Sequence, residues 1–252
     1  MTFPVIFHPF GLSIPAHAVF DALAYTLGGI LFRLELRRRR DSMPAMRIEQ
    51  TLWLVAGVIL GAAIGAKLLA WIEDAPLYLT HLNRPEAWIG GKTIAGGILG
   101  GWIGVEITKK LLGVTSSTGD AFVLPLTVGI AVGRIGCFLT GLPDHTYGIE
   151  TALAWGIDFG DGVSRHPTQL YESLFVLIAG TLFLTALPTR LRLRGGMCFR
   201  LFVLAYCLFR VAIEFIKPTY KPIGVSAIQT ACAMGAIVCL WQLARSKDKS
   251  LT

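Results

Sequence analysis

The chain has 252 residues, of which 54% are apolar and only 15% charged; its mean hydropathy is +0.61. Soluble domains carry about 25% charged residues, so this composition excludes a water-facing globule, a disordered chain and a disulfide scaffold. The net charge of +7 implies no nucleic-acid partner, because Lys and Arg also collect at membrane edges.

The N-terminal stretch through His8-Pro9-Phe10 lacks a basic segment followed by a short apolar core, so no cleaved signal peptide is expected. A membrane-crossing helix needs about 20 mostly apolar residues. Seven stretches qualify: 15–36, 51–72, 94–112, 121–141, 169–187, 197–216 and 226–244. Arg/Lys runs, Pro188, Pro218 and Gly/Asp/Thr clusters separate them. No internal repeat divides the chain. The expected fold is an all-α integral membrane protein, a single polytopic domain over 1–252 with about seven transmembrane helices.

Orientation follows from the cations. With the N-terminus outside, the inner side holds fifteen Lys and Arg, in the groups Arg33–Arg47, Lys109–Lys110, Arg190–Arg200 and Arg245–Lys249. The outer side holds five: Arg84, Lys92, Arg165, Lys217 and Lys221. Positive charge prefers the cytoplasm, so the N-terminus is expected outside and the C-terminus in the cytoplasm. Two outer loops result, near 74–93, with Trp88 as an interfacial anchor, and near 142–168.

Asp21, Lys67, Glu106, Arg134, Glu172, Arg210 and Glu214 fall inside the predicted spans. Each such charge costs about 2.5–3.5 kcal/mol on insertion scales, so it pairs, lines a wet cavity or does chemistry. Tyr206, Arg210 and Glu214 share one helix face at i, i+4 spacing, as do His17, Asp21 and Tyr25. Arg210–Glu214 can be a self-neutralising pair, and the His17 stripe a wet face. Arg134 and Arg210 lie on different spans, and their guanidinium forks match phosphate geometry. Lys67 either joins them or snorkels to the interface. Gly96, Gly97, Gly100, Gly101 and Gly104 have small-xxx-small spacing, which serves close helix packing or exposes amides to a lipid phosphate. The five cysteines show no zinc-knuckle spacing. Cys198, Cys207, Cys232 and Cys239 are expected to be small hydrophobes.

Three segments, Gly133-Arg134-Ile135-Gly136-Cys137-Phe138, Arg165-His166-Pro167-Thr168-Gln169-Leu170-Tyr171-Glu172 and Arg210-Val211-Ala212-Ile213-Glu214-Phe215, carry a resemblance. In order, spacing and number of spans the chain resembles the bacterial prolipoprotein diacylglyceryl transferases from about residue 15 to 217. The resemblance implies a multi-pass enzyme of the bacterial inner membrane that works without a metal or other cofactor. Such an enzyme moves the diacylglyceryl group of phosphatidylglycerol to the lipobox cysteine of a prolipoprotein, and glycerol phosphate leaves. It implies that Arg134 and Arg210 hold the phosphate, with Glu214 positioning Arg210. Gly133, Gly136, Gly96, Gly97, Asp21, Gln169, Tyr171, Glu172 and Tyr206 would then shape the lipid pocket.

The chain also departs from the family pattern. Ala95-Gly96-Gly97 stands where the family has His-Gly-Gly, Cys137 where it has Asn, and Gly141-Leu142 where it has Gly-Glu. Asp144 with His145 is the nearest replacement for the lost proton-handling groups, and His166 is a second candidate base unless it caps the following helix. Cys137 is a candidate nucleophile. Three further readings remain open: a divergent paralogue acting on another lipid or acceptor, a lipid-binding protein without catalysis, and a transporter, against which the lack of a repeat weighs.

Overall fold

The computed structural model describes residues 2–39, 47–80, 91–186, 195–222 and 224–248. Arg84, Trp88, Pro188, Arg190 and Lys249 lie outside the described residues. Helices occupy all seven predicted apolar stretches. They are α1 (Ala16–Arg38), α2 (Ile48–Glu73), the short α3 (Ala75–Thr80), α4 (Ile94–Leu111), α5 (Val123–Thr140), α6 (Thr168–Thr181), α7 (Met197–Ile213) and α8 (Ala227–Asp248). A wider π-type turn, Leu182–Ala186, extends α6.

Among the described residues, four helical stretches are long and apolar enough to cross a membrane: Ile48–Glu73, Gly119–Thr140, Thr168–Thr185 and Ala227–Arg245. The other three long helices fall short for local reasons. His17 and Asp21 interrupt α1, α4 carries Glu106, Lys109 and Lys110, and α7 has 17 residues. Only 11% of the spanning window of α2 is buried by protein. Ile59, Leu60 and Ile64 are exposed there, as suits a lipid-facing helix.

The chain forms two compact units. In the first, α1, α5 and α6 pack antiparallel. Gly28 of α1 lies beside Pro125 of α5, while Phe20 and His17 lie beside Gly136. Ser173 of α6 bonds the Ala131 carbonyl of α5 at 3.1 Å, and Gly180 abuts Thr127. The N-terminus of α1, the C-terminus of α5 and the N-terminus of α6 therefore share one end. Two small antiparallel hairpins stand there, Ile6–Phe7 with Ile14–Pro15 (β1, β2) and Ile157–Asp158 with Ser164–Arg165 (β3, β4). Phe159 is buried against Phe3, Phe138 and Tyr147, so an aromatic cluster ties the 142–168 loop to the end of α5.

In the second unit α2 and α4 form a glycine zipper. A Cβ on Gly61, Gly65, Gly96, Gly100 or Gly104 would stand within 3.0 Å of backbone or side-chain atoms, mostly on the facing helix. Small residues let the backbones touch, and dispersion over that contact replaces side-chain packing. Glu73, at the end of α2, accepts the Ile228 N–H of α8 at 3.0 Å. Ser226 and Gln229 form a reciprocal cap at the start of that helix (2.9 and 3.1 Å).

Candidate active site

Arg134 is one turn and a half from the end of α5 and faces α6. Its guanidinium pairs with Glu172 at 2.8 Å, and both side chains are nearly inaccessible, 6% and 2% exposed. Gly133 and Gly136 flank it on the side toward α1: a Cβ at Gly136 would strike Phe20, and Gly133 lies near Ala24. The Gly-Arg-Ile-Gly sequence thus lets α1 approach α5 closely and leaves Arg134 to reach α6.

One turn further on, the Cys137 thiol accepts from Arg134 Nη1 at 3.9 Å. The nitrogen, sulfur and oxygen donors of His17, Cys137 and Asp144 all lie within 4.8 Å of one another. Asp21 Oδ2 is 3.5 Å from His17 Nε2, and Asp144 Oδ1 is 3.7 Å from His17 Nδ1. The Thr146 hydroxyl donates to Asp144 Oδ2, and the Thr168 hydroxyl donates to the Thr146 carbonyl. The start of α6 thereby steadies the loop that carries Asp144.

Gln169 lies one turn before Glu172 on the same face of α6 and is 1% exposed. Neither its amide nitrogen nor its amide oxygen has a hydrogen-bond partner among the described residues. An unsatisfied buried amide costs about 1–3 kcal/mol, which a polar ligand group would recover. Beside this cluster Ile14 of β2 and the α1 residues Ala18, Val19, Ala22, Leu23 and Thr26 line an apolar groove.

The loop brings the wrong histidine for the expected Asp144–His145 pair. His145 has left-handed backbone (φ 54°) and is exposed, so the turn aims Asp144 inward and His145 out. The histidine that meets Asp144 is His17. The i, i+4 stripe had marked His17 only as part of a wet face, and its approach to Asp144 spans 127 positions of chain, which spacing cannot reveal. His166 does not cap α6; its Nδ1 lies 3.2 Å from the Tyr171 hydroxyl, which accepts from Trp155 at 2.8 Å. These three side chains brace the loop on α6. Nearby, Asp161 takes two bonds from Arg165, both 2.7 Å. Those bonds hold the Asp161 carboxyl below the usual carboxylate range.

In the second unit Arg210, in the last turn of α7, pairs with Glu214 in the 3-10 turn that follows it, and both are buried. Thr219 donates to Glu214 Oε2 at 3.1 Å, and Lys221 donates to its carbonyl at 2.7 Å. Tyr206 is fully buried one turn earlier. Gly96 serves the zipper, Gly97 packs toward Ala62 and Ala66, and Lys67 lies half-buried on α2. Glu106 pairs with Lys109 at 3.1 Å on the surface of α4.

The sequence model of the prolipoprotein diacylglyceryl transferase family matches residues 4–245. The chain belongs to that family. A phosphatidylglycerol–prolipoprotein diacylglyceryl transferase of Nitratidesulfovibrio vulgaris is 32% identical, covering 91% of this chain and 95% of the relative. The protein of the same description from Geobacter sulfurreducens is 31% identical over 89% and 85%, and that of Wolbachia pipientis 32% over 86% and 83%.

Proposed function

We propose that this chain transfers the diacylglyceryl group of phosphatidylglycerol to the lipobox cysteine of a prolipoprotein, in the bacterial inner membrane. The reading includes seven spans, the N-terminus outside and the cluster of His17, Arg134, Cys137, Asp144 and Glu172 at the outer face. The observation that carries it is the buried Arg134–Glu172 pair within a family match of nearly full length. Glu172 holds one edge of the guanidinium, which orients it before any lipid arrives. As the glyceryl C–O bond breaks, charge builds on the departing phosphate, and a guanidinium already in place stabilises that charge without reorganising.

Gln169 offers its unsatisfied amide to the headgroup, and the apolar groove of α1 takes acyl chain. Arg210, set by Glu214, is an anion-binding guanidinium of the second unit. Mass-tagged phosphatidylglycerol incubated with a lipobox peptide tests the reading: the thioether product forms with the native chain and with Cys198→Ala, and is lost with Arg134→Ala. Ala95 and Leu142, which replace the family's His and Glu, favour a second reading in which the same lipid is used with a different acceptor. Tagged lipid bound tightly with no thioether on the peptide would select it.

A further inference from the structure

We propose that His17, Cys137 and Asp144 form a three-ligand zinc site whose fourth position takes the acceptor thiol. His17 Nδ1 is sequestered from solvent and has no hydrogen-bond partner among the described residues. It faces Asp144 Oδ1 at 3.7 Å, too far for a hydrogen bond. Two ligands of one tetrahedral zinc stand about 3.4–3.6 Å apart, given metal–ligand lengths of roughly 2.0–2.3 Å. An ion between them would satisfy the orphaned nitrogen, with Cys137 closing the triangle inside 4.8 Å.

Each ligand is also held from behind. Asp21 faces His17 Nε2, the Thr146 hydroxyl binds the second oxygen of Asp144, and Arg134 donates to Cys137. Outer partners of this kind orient ligands and tune affinity. The donor set selects the metal: thiolate and imidazole disfavour magnesium and calcium, and the mixed sulfur, nitrogen and oxygen triad suits zinc. One thiolate and one carboxylate balance the charge of the ion before the acceptor binds. Three protein ligands leave the open position that catalytic zinc needs.

The role rests on the transferase reading and departs from the metal-free working that the family resemblance implies. The family pattern places a glutamate where this chain has Leu142, two positions before Asp144, and a metal supplies what that loss removes. The acceptor thiol gives up its proton on binding the ion. Its sulfur forms the C–S bond as the glyceryl C–O bond breaks, and the electron pair leaves on glycerol phosphate, which takes up the proton.

The test is metal content of the full-length chain, solubilised, exposed to zinc and freed of loose metal. The native chain and Cys198→Ser should retain about one zinc ion, as one three-ligand site holds. His17→Gln, Cys137→Ser and Asp144→Asn should fall to background, and Asp21→Asn should weaken affinity about 10–100-fold. Cobalt substitution should give a sulfur-to-metal charge-transfer band that Cys137→Ser abolishes. If a ligand variant misfolds, Cys137→Asn, with the family's residue there, keeps a polar side chain and should fold without metal. Native chain without zinc, or equal zinc in the three ligand variants, overturns the site. Undiminished thioether formation after complete chelation overturns its role while the transferase reading stands. Zinc held through these side chains without thioether formation leaves the site and overturns transfer to the lipobox cysteine.

Discussion

Among the described residues, two buried guanidinium–carboxylate pairs are built differently. Arg134 and Glu172 join two helices, α5 and α6, so this ion pair runs from one element to another. Arg210 and Glu214 are i, i+4 neighbours across the end of one helix, and Glu214 also anchors Thr219 and Lys221. An interhelical pair fixes the relation between elements, so its loss is felt across the packing surface. A pair across a helix end fixes where that helix stops. The same chemistry thus serves placement of a site in one unit and termination of a helix in the other.

The largest expected effect tests that contrast. Removing one member of a buried pair leaves a charge uncompensated, at about 3–5 kcal/mol. Glu172→Ala should therefore lower the thermal midpoint steeply and speed amide exchange along both α5 and α6. Glu214→Ala should speed exchange mainly in 214–221 and leave α5 and α6 protected. Equal loss of α5–α6 protection in the two variants would erase the distinction.

The units differ as well in how their helices meet. In the α2–α4 zipper a Cβ at Gly100 would come under 3.0 Å from both the Gly61 carbonyl and the Gly65 Cα. Those are backbone atoms that cannot swing aside. Gly100→Ala should cost about 1–3 kcal/mol in unfolding experiments, the usual range for overpacking. Gly29→Ala, where a Cβ meets nothing within 4 Å, should be neutral or better. Were the two substitutions equally tolerated, the glycine run would owe its presence to something other than contact.

How much of this was legible in the sequence depends on range. Helices lie at every apolar stretch because hydropathy is a local property. Arg210–Glu214 was legible because i, i+4 spacing fixes a face. Arg134 and Glu172 were legible only as charges in the wrong solvent; that they meet depends on the antiparallel packing of α5 and α6. The glycine run was read with packing and anion binding both open, and its packing partner, the 57–65 stretch of α2, became visible only in the structure. Asp144 was paired with its neighbour His145 by adjacency, but the left-handed turn at His145 defeats adjacency and the histidine beside Asp144 is His17. Glu73, buried at 5% exposure and capping α8, went unmarked because it sits where a span-end carboxylate would ordinarily meet water.

The smallest expected effect concerns the outermost charge pair, where exposure replaces burial. Asp161 is held below its ordinary range by Arg165, and a depressed carboxyl stabilises the fold only while ionised. Its contribution is complete above the unfolded value of about 3.9 and disappears as pH falls through the lower folded value. Solvent screens the pair, so the loss should disturb the β3–β4 hairpin locally without unfolding the helices. Trp155, bonded to Tyr171 beside it, reports the loop by fluorescence. The native signal should change on acidification below about pH 4, and less so at about 1 M salt, where the Debye length shrinks to roughly 3 Å. Asp161→Asn should flatten that change. An unaltered acid profile in the variant would assign the transition to another carboxylate of the loop, Asp158 first, since its Oδ1 accepts the N–H groups of Gly160, Asp161 and Gly162.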